Sequence, residues 1–152
     1  MLVKDLQAIV ELMALADKKY PCVKIERYKA YSTNGGAISC REVSIKDEGF
    51  IDKHFLPQLK GILATNKGNE FLEESIAHLI ISDFEGFPVV DMSSLFNSEF
   101  KYEIQFDAKL LEKVVKTLKG KDNKIIMKIV DNKSPFLVVH ENGKALIAPL
   151  DC

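Results

Sequence analysis

Arginine is nearly missing. Arg27 and Arg41 are the only two in a chain of 152 residues whose other basic side chains are lysines. Side chains able to read base edges bidentately are therefore lacking, which excludes a sequence-reading recognition helix. Cysteine is scarce too. Cys22, Cys40 and Cys152 are odd in number, far apart and without Cys-x-x-Cys spacing. Neither a disulfide framework nor a zinc site is expected, and reduced thiols in a cytoplasmic setting are. No run approaches the roughly 20 apolar residues that a membrane span needs, so no membrane partner is expected. Met1-Leu2-Val3-Lys4-Asp5 lacks a basic stretch leading into an apolar core, so no signal peptide is expected. His54, His78 and His140 stand apart from one another and from Cys or Asp at ligand spacing. The chain has no G-x-x-x-x-G-K-[ST] loop and no G-x-S-x-G. Glu73 and Glu74, adjacent on a predicted strand, would point to opposite faces and could not work as an acid–base pair. No catalytic residue, metal or cofactor is expected, and the chain is not read as an enzyme.

What is present supports a folded domain. Hydrophobic residues make up 47% and charged residues 28%, enough for a buried core and a solvated surface. Net charge is −1 at pH 7, so any attraction to nucleic acid requires the positive charge to be segregated onto one surface.

Apolar spacing predicts three helices. The first runs over 2–18, with Leu2, Leu6, Ile9, Val10, Met13 and Ala16 in one stripe and Tyr20-Pro21 as its stop. The second runs over 53–66, capped by Asp52, with Phe55, Leu56, Leu59, Ile62 and Leu63 in its stripe and Pro57 in its first turn. The third runs over 108–119, capped by Asp107, with Leu110, Leu111, Val114, Val115 and Leu118 inward and Gly120 as its stop. Strands are predicted between them: 23–28, 29–33 and 37–45 around the Asn34-Gly35-Gly36 turn; then 70–77, 79–83 and 87–91; then 125–130, 135–140 and 145–150, the last two joined at Glu141-Asn142-Gly143-Lys144. Helix followed by strands thus recurs three times. The two capping aspartates, Asp52 and Asp107, align at an offset of 55 residues, which places Phe55 on Leu110, Leu56 on Leu111, Leu59 on Val114 and Leu63 on Leu118.

At this point the chain resembles the bacterial DNA sliding-clamp family, the processivity subunit of replicative polymerases. The resemblance is carried by Phe106-Asp107-Ala108-Lys109-Leu110-Leu111-Glu112-Lys113-Val114-Val115-Lys116, by the Asp131-Asn132-Lys133-Ser134-Pro135 turn leading into Phe136-Leu137-Val138-Val139, and by the closing strand Ala145-Leu146-Ile147-Ala148-Pro149-Leu150. Leu12–Pro21 and Ala30–Gly35 match the end of a first clamp helix and the strand and turn after it. The resemblance implies an α+β DNA clamp fold of three repeated helix-plus-antiparallel-strand units, divided into a two-unit domain over 1–98 and a third half-unit over 99–152. A clamp chain of this family carries six such units and a ring twelve, so four chains of three units would be needed to close one. The tail here ends Pro149-Leu150-Asp151-Cys152 where the family has an apolar-Pro-Val-Arg-Leu ending.

Clamps line their hole with helices, so the polar helix faces are where phosphate contacts are implied. On the first helix these are Lys4 and Lys18; on the second Lys53, Lys60 and Lys67; on the third Lys109, Lys113, Lys116 and Lys119. Acids gather instead in strands and turns. The implied partners are duplex DNA, held without regard to sequence, a polymerase or other DNA-processing enzyme, and further copies of the chain in a homo-oligomeric ring. Ile147, Ala148, Pro149 and Leu150 fall where the family places its partner pocket. Asp91-Met92-Ser93-Ser94-Leu95-Phe96 loosely resembles the peptide by which polymerases dock on clamps. A clamp-derived module that binds replication proteins without encircling DNA is the alternative. An unrelated enzyme would show a deep pocket of charged groups.

Overall fold

A computed structural model describes residues 1–88, 91–118 and 123–150. The chain divides into two compact units, Met1–Ser93 and Ser94–Cys152. Both are α+β with antiparallel sheets.

In the first unit, alternation makes the sheet. β1 (Cys22–Glu26), β2 (Lys29–Thr33), β3 (Ile38–Glu42) and β4 (Gly49–Asp52) pair antiparallel in the order β3-β2-β1-β4. The β1–β2 turn places Arg27 and Tyr28 at φ 50° and 61°, the left-handed pair of a type I′ hairpin. The β2–β3 turn is held by side chains. Asn34 Oδ1 accepts from the Gly36 and Ala37 N–H groups, each at 2.9 Å, and Thr33 Oγ1 donates to the Ala37 carbonyl at 2.7 Å.

Val23, Ile25, Ala30 and Ile51 share one face of this sheet, where α1 (Val3–Leu12) and α2 (Leu56–Thr65) bury Leu6, Ile9, Leu12, Leu59 and Ile62. The opposite face is apolar as well. Cys22, Tyr31 and Phe50 pack there under Phe84, Phe87 and Met92, the last from α3 (Met92–Phe96). α1 stops six residues short of the predicted end. Asp17 Oδ1 accepts from the N–H groups of Lys19 and Tyr20 at 2.9 and 3.0 Å, a side-chain turn that competes with helix.

After α2 the expected strands at 70–77 and 79–83 do not form, nor does 87–91 within the residues described; Val89 and Val90 lie outside them. Buried Asn66 explains the start of this departure. Its Nδ2 donates to the Ile62 carbonyl at 2.8 Å, and its Oδ1 accepts from the Glu73 N–H at 3.1 Å, folding the chain back onto the helix end. A short 3-10 turn (Ala77–Leu79) follows. Ile76 and Leu79 belong to the helix-side core, Phe84 and Phe87 to the other, so the segment wraps around the β4 edge. Among the described residues it touches that edge through a single bridge, where Ile81 and Phe50 exchange N–H···O bonds of 2.8 and 2.9 Å. The crossing needs Gly49. At φ 150° it lies against the strap, and a Cβ there would be 2.3 Å from the Ile81 carbonyl oxygen. The second of the three expected units is therefore a capped helix without its sheet.

The second unit follows the expected pattern more closely. Asp107 caps α4 (Ala108–Thr117), its Oδ1 accepting from the Lys109 N–H at 2.9 Å and, less directly, from that of Leu110 at 3.4 Å. β5 (Ile126–Lys128), β6 (Phe136–His140) and β7 (Gly143–Ile147) form a three-stranded sheet in that order. Phe136, Val138 and Ile147 pack with Leu118, Phe106, Leu111 and Val114. The β6–β7 hairpin closes on Glu141-Asn142, with Gly143 and Lys144 already in the strand. The turn before β6 is an aspartate device. Asp131 accepts from the Lys133 and Ser134 N–H groups at 2.8 and 2.7 Å and from the Ser134 hydroxyl at 3.0 Å. These bonds hold its carboxyl below the usual aspartate range.

Candidate nucleic-acid interface

An amphipathic helix packed on a sheet turns its polar stripe outward, so the charge it offers is decided by the residues at those spacings and by their neighbours. On α1, Lys4, Gln7 and Glu11 are exposed. Glu11 is already engaged. Its Oε1 accepts from Gln7 Nε2 at 2.9 Å and its Oε2 lies 2.5 Å from Arg41 Nη1, and the two hydrogen bonds pull its pKa down. The acid on this face is thus matched by a cation from β3, which leaves Lys4 uncompensated.

α2 contains no acid. Lys60 is exposed on it, and Lys67 is exposed in the turn just after it. Lys53 behaves differently from the expectation. It sits in a 3-10 turn (Lys53–Phe55) that precedes α2, is only partly exposed, and donates its Nζ proton to the Ala16 carbonyl. The capping by Asp52 causes this. The Asp52 side chain accepts from the His54 N–H at 2.9 Å, so the chain enters as a 3-10 turn and swings Lys53 back toward the end of α1. Lys53 is a structural tie, not a phosphate contact. Lys18 is exposed but follows the end of α1, so it belongs to a loop and not to a helix face.

On α4, Lys109, Glu112, Lys113 and Lys116 are exposed. Lys116 Nζ lies 3.0 Å from Glu112 Oε1, an i,i+4 pair. Among the described residues Lys109 and Lys113 form no ion pair. Lys119 lies outside the described residues. The uncompensated set is therefore Lys4, Lys60 and Lys67 in the first unit and Lys109 and Lys113 in the second.

The tail residues divide by side. Ile147 is fully buried in the core of its unit and offers nothing to a partner, because the alternation of β7 points it at α4. Ala148 is exposed, Pro149 half-buried, and Leu150 exposed, with its N–H donating to the Gln105 carbonyl at 2.7 Å. In the 91–96 segment Met92 is buried, whereas Leu95 and Phe96 are 47% and 43% exposed.

Two features escaped the sequence. The outer face of the β5–β7 sheet carries an apolar patch flanked by Lys128 and Lys144. Ile126 pairs with Val139 and Leu137 with Leu146 on the side opposite Val138, and Ile126 and Leu146 are 56% and 69% exposed. Period-two alternation would have revealed it only if the core face had been known. The other feature is a buried aspartate, Asp5, at the start of α1, which reads in sequence as an ordinary first-turn acid. Among the described residues no group of three or more His, Cys, Asp and Glu is placed to hold a metal, and no helix is long and apolar enough to cross a membrane. No known protein family, curated protein or solved structure matches the chain.

Proposed function

We propose that the protein is a sliding-clamp-like processivity factor, a non-enzymatic scaffold that grips or encircles duplex DNA without reading its sequence and tethers a polymerase or another DNA-processing enzyme. The observation that carries this reading is the charge on the helices. α2 holds no acid, the exposed acid of α1, Glu11, is paired with Arg41 while its other acid, Asp5, is buried, and Lys4, Lys60, Lys67, Lys109 and Lys113 stand exposed without ion pairs among the described residues. Such lysines make weak, sequence-independent phosphate contacts that permit sliding. A ring of several copies would hold DNA by topology, and closed symmetry allows it.

The test is retention on a circle. Protein bound to nicked circular plasmid is passed through a sizing column in high salt, before and after the plasmid is linearised. Co-elution with the circle and loss on linearisation support encirclement. Loss from both, together with a monomeric native mass at every concentration, refutes it.

A second reading is supported by a different observation. The apolar patch on the outer face of β5–β7, with Leu146 and Ile126 exposed, suits a module that binds replication proteins without encircling DNA. It is favoured if the chain stays monomeric and Leu146→Glu abolishes polymerase binding while leaving DNA affinity unchanged.

A further inference from the structure

The first turn of α1, the 44–47 loop and the 71–77 segment enclose a groove of about 760 Å³ in the first unit. Its walls are largely apolar, with Leu2, Ile45, Leu72 and Ile76 below and Phe71, 60% exposed, at the lip. Its rim is acidic. Asp47, Glu73 and Glu74 line it, with Lys46 the one cationic side chain among the lining residues. A rim of that sign repels phosphate, so this groove is not suited to the phosphate contacts proposed for the lysines.

At its base sits Asp5, only 3% exposed. The position is the first turn of α1, where a carboxylate is favoured by the helix dipole. That accounts for an acid, but not for a buried one. Asp5 Oδ2 accepts from the Ser44 N–H at 3.2 Å, which ties α1 to the loop after β3. The other carboxylate oxygen has no hydrogen-bond partner among the described residues, and the side chain lines the groove. That second oxygen is not sealed from solvent, since it opens into the groove, where it offers a free acceptor to a cationic group. A hard metal ion is a poor fit, because one buried carboxylate among apolar walls supplies too few oxygen ligands. An organic cation on an apolar stem fits both the head group and the walls.

We infer that this groove docks a peptide segment of a partner through an arginine or lysine side chain whose head meets Asp5, with flanking apolar residues on Leu72 and Phe71. The acidic rim draws such a segment in, and the buried carboxylate selects its charged residue.

Acetyl-Leu-Arg-Leu-amide titrated into the full chain tests this by amide NMR, with the citrulline analogue, equal in shape but neutral, as the control. Saturable shifts are expected at Asp5, Ser44 and Leu72, with affinity weaker by about tenfold for the citrulline peptide, as expected when a charge-assisted hydrogen bond is lost. Asp5→Asn keeps an oxygen for the Ser44 N–H and should lower arginine-peptide affinity about as much. Glu74→Gln on the exposed rim should lower it about twofold, an effect that disappears in high salt. No saturable shift, equal binding of the two peptides to the wild-type chain, or unchanged affinity in folded Asp5→Asn would each overturn the inference.

Discussion

Two lysines, one in the turn before the second helix and one within it, invite a comparison that separates charge from architecture. Lys53→Gln and Lys60→Gln make the same change in net charge seven residues apart. Lys60 is exposed on an acid-free helix, whereas Lys53 donates to the Ala16 carbonyl. If Lys60 meets a phosphate, removing it removes one counterion-release event, and the slope of log K against log salt becomes shallower by about 0.9. Thermal stability should hardly move, since an exposed surface substitution usually changes it by less than about 0.5 kcal/mol. Lys53→Gln should do the reverse. It removes a charged donor from a partly buried carbonyl, a loss of about 1.5–3 kcal/mol, which lowers Tm by roughly 6–12 °C or more in a domain of this size. Its salt slope should stay that of the wild type. The assays are fluorescence anisotropy on a labelled duplex between 50 and 200 mM salt and a thermal melt followed by circular dichroism. Equal loss of salt slope in both variants, with no drop in Tm for Lys53→Gln, would refute the assignment of Lys53 as a structural tie.

Three further outcomes follow from the same geometry. Asn66→Ala removes the bonds to Ile62 and Glu73 from a residue 1% exposed and should cost about 2–3 kcal/mol in urea unfolding. Phe136→Ala empties the centre of the second unit, where its ring meets Phe106 edge-on at 5.6 Å, and should cost about 3–5 kcal/mol by the same measurement. Burial, aided by the nearby Asp52 charge, raises the Cys22 thiol from 9.0 to about 12. Between those values the unfolded thiol ionises while the native one stays protonated, so stability should fall as pH rises from 9 toward 12, and Cys22→Ala should flatten that limb.

How much of this could be read from the sequence depended on whether local signals agreed with their surroundings. α4 was legible because cap, stripe and length coincide, with the Asp107 carboxylate accepting from the first-turn N–H groups as expected. The β6–β7 hairpin was legible from a β-branched run and the Glu141-Asn142-Gly143-Lys144 stretch, although the turn itself closes on Glu141-Asn142. The β1–β2 turn was not, because Arg27 and Tyr28 take left-handed angles that sequence rules assign to Asn-Gly. The 66–88 strap was misread as strands for a related reason. Its apolar residues do recur, but Ile76 and Leu79 serve one face of the sheet and Phe84 and Phe87 the other. No periodicity records that the chain rounds an edge. Among the candidate site residues, lysine spacing located the outward faces. It could not foresee that Lys53 and Lys116 find carbonyl and carboxylate partners, because those contacts depend on where a 3-10 entry and a side-chain rotamer place them.

The approach of the strap to Gly49 has a consequence for how the chain can vary. Every other amino acid brings a Cβ, and the atom that Cβ would meet most closely is the carbonyl oxygen of Ile81. A crowding side chain can be relieved by a smaller residue elsewhere, but a crowding backbone oxygen is the same whichever residue occupies position 81. In a saturation screen position 49 should therefore be intolerant, and a pseudorevertant of any Gly49 variant should never map to a side-chain change at Ile81 alone. Along the strap, substitution at Ile76 and Leu79 is limited by packing, which neighbouring side chains can adjust; at Gly49 it is limited by a backbone oxygen, which they cannot.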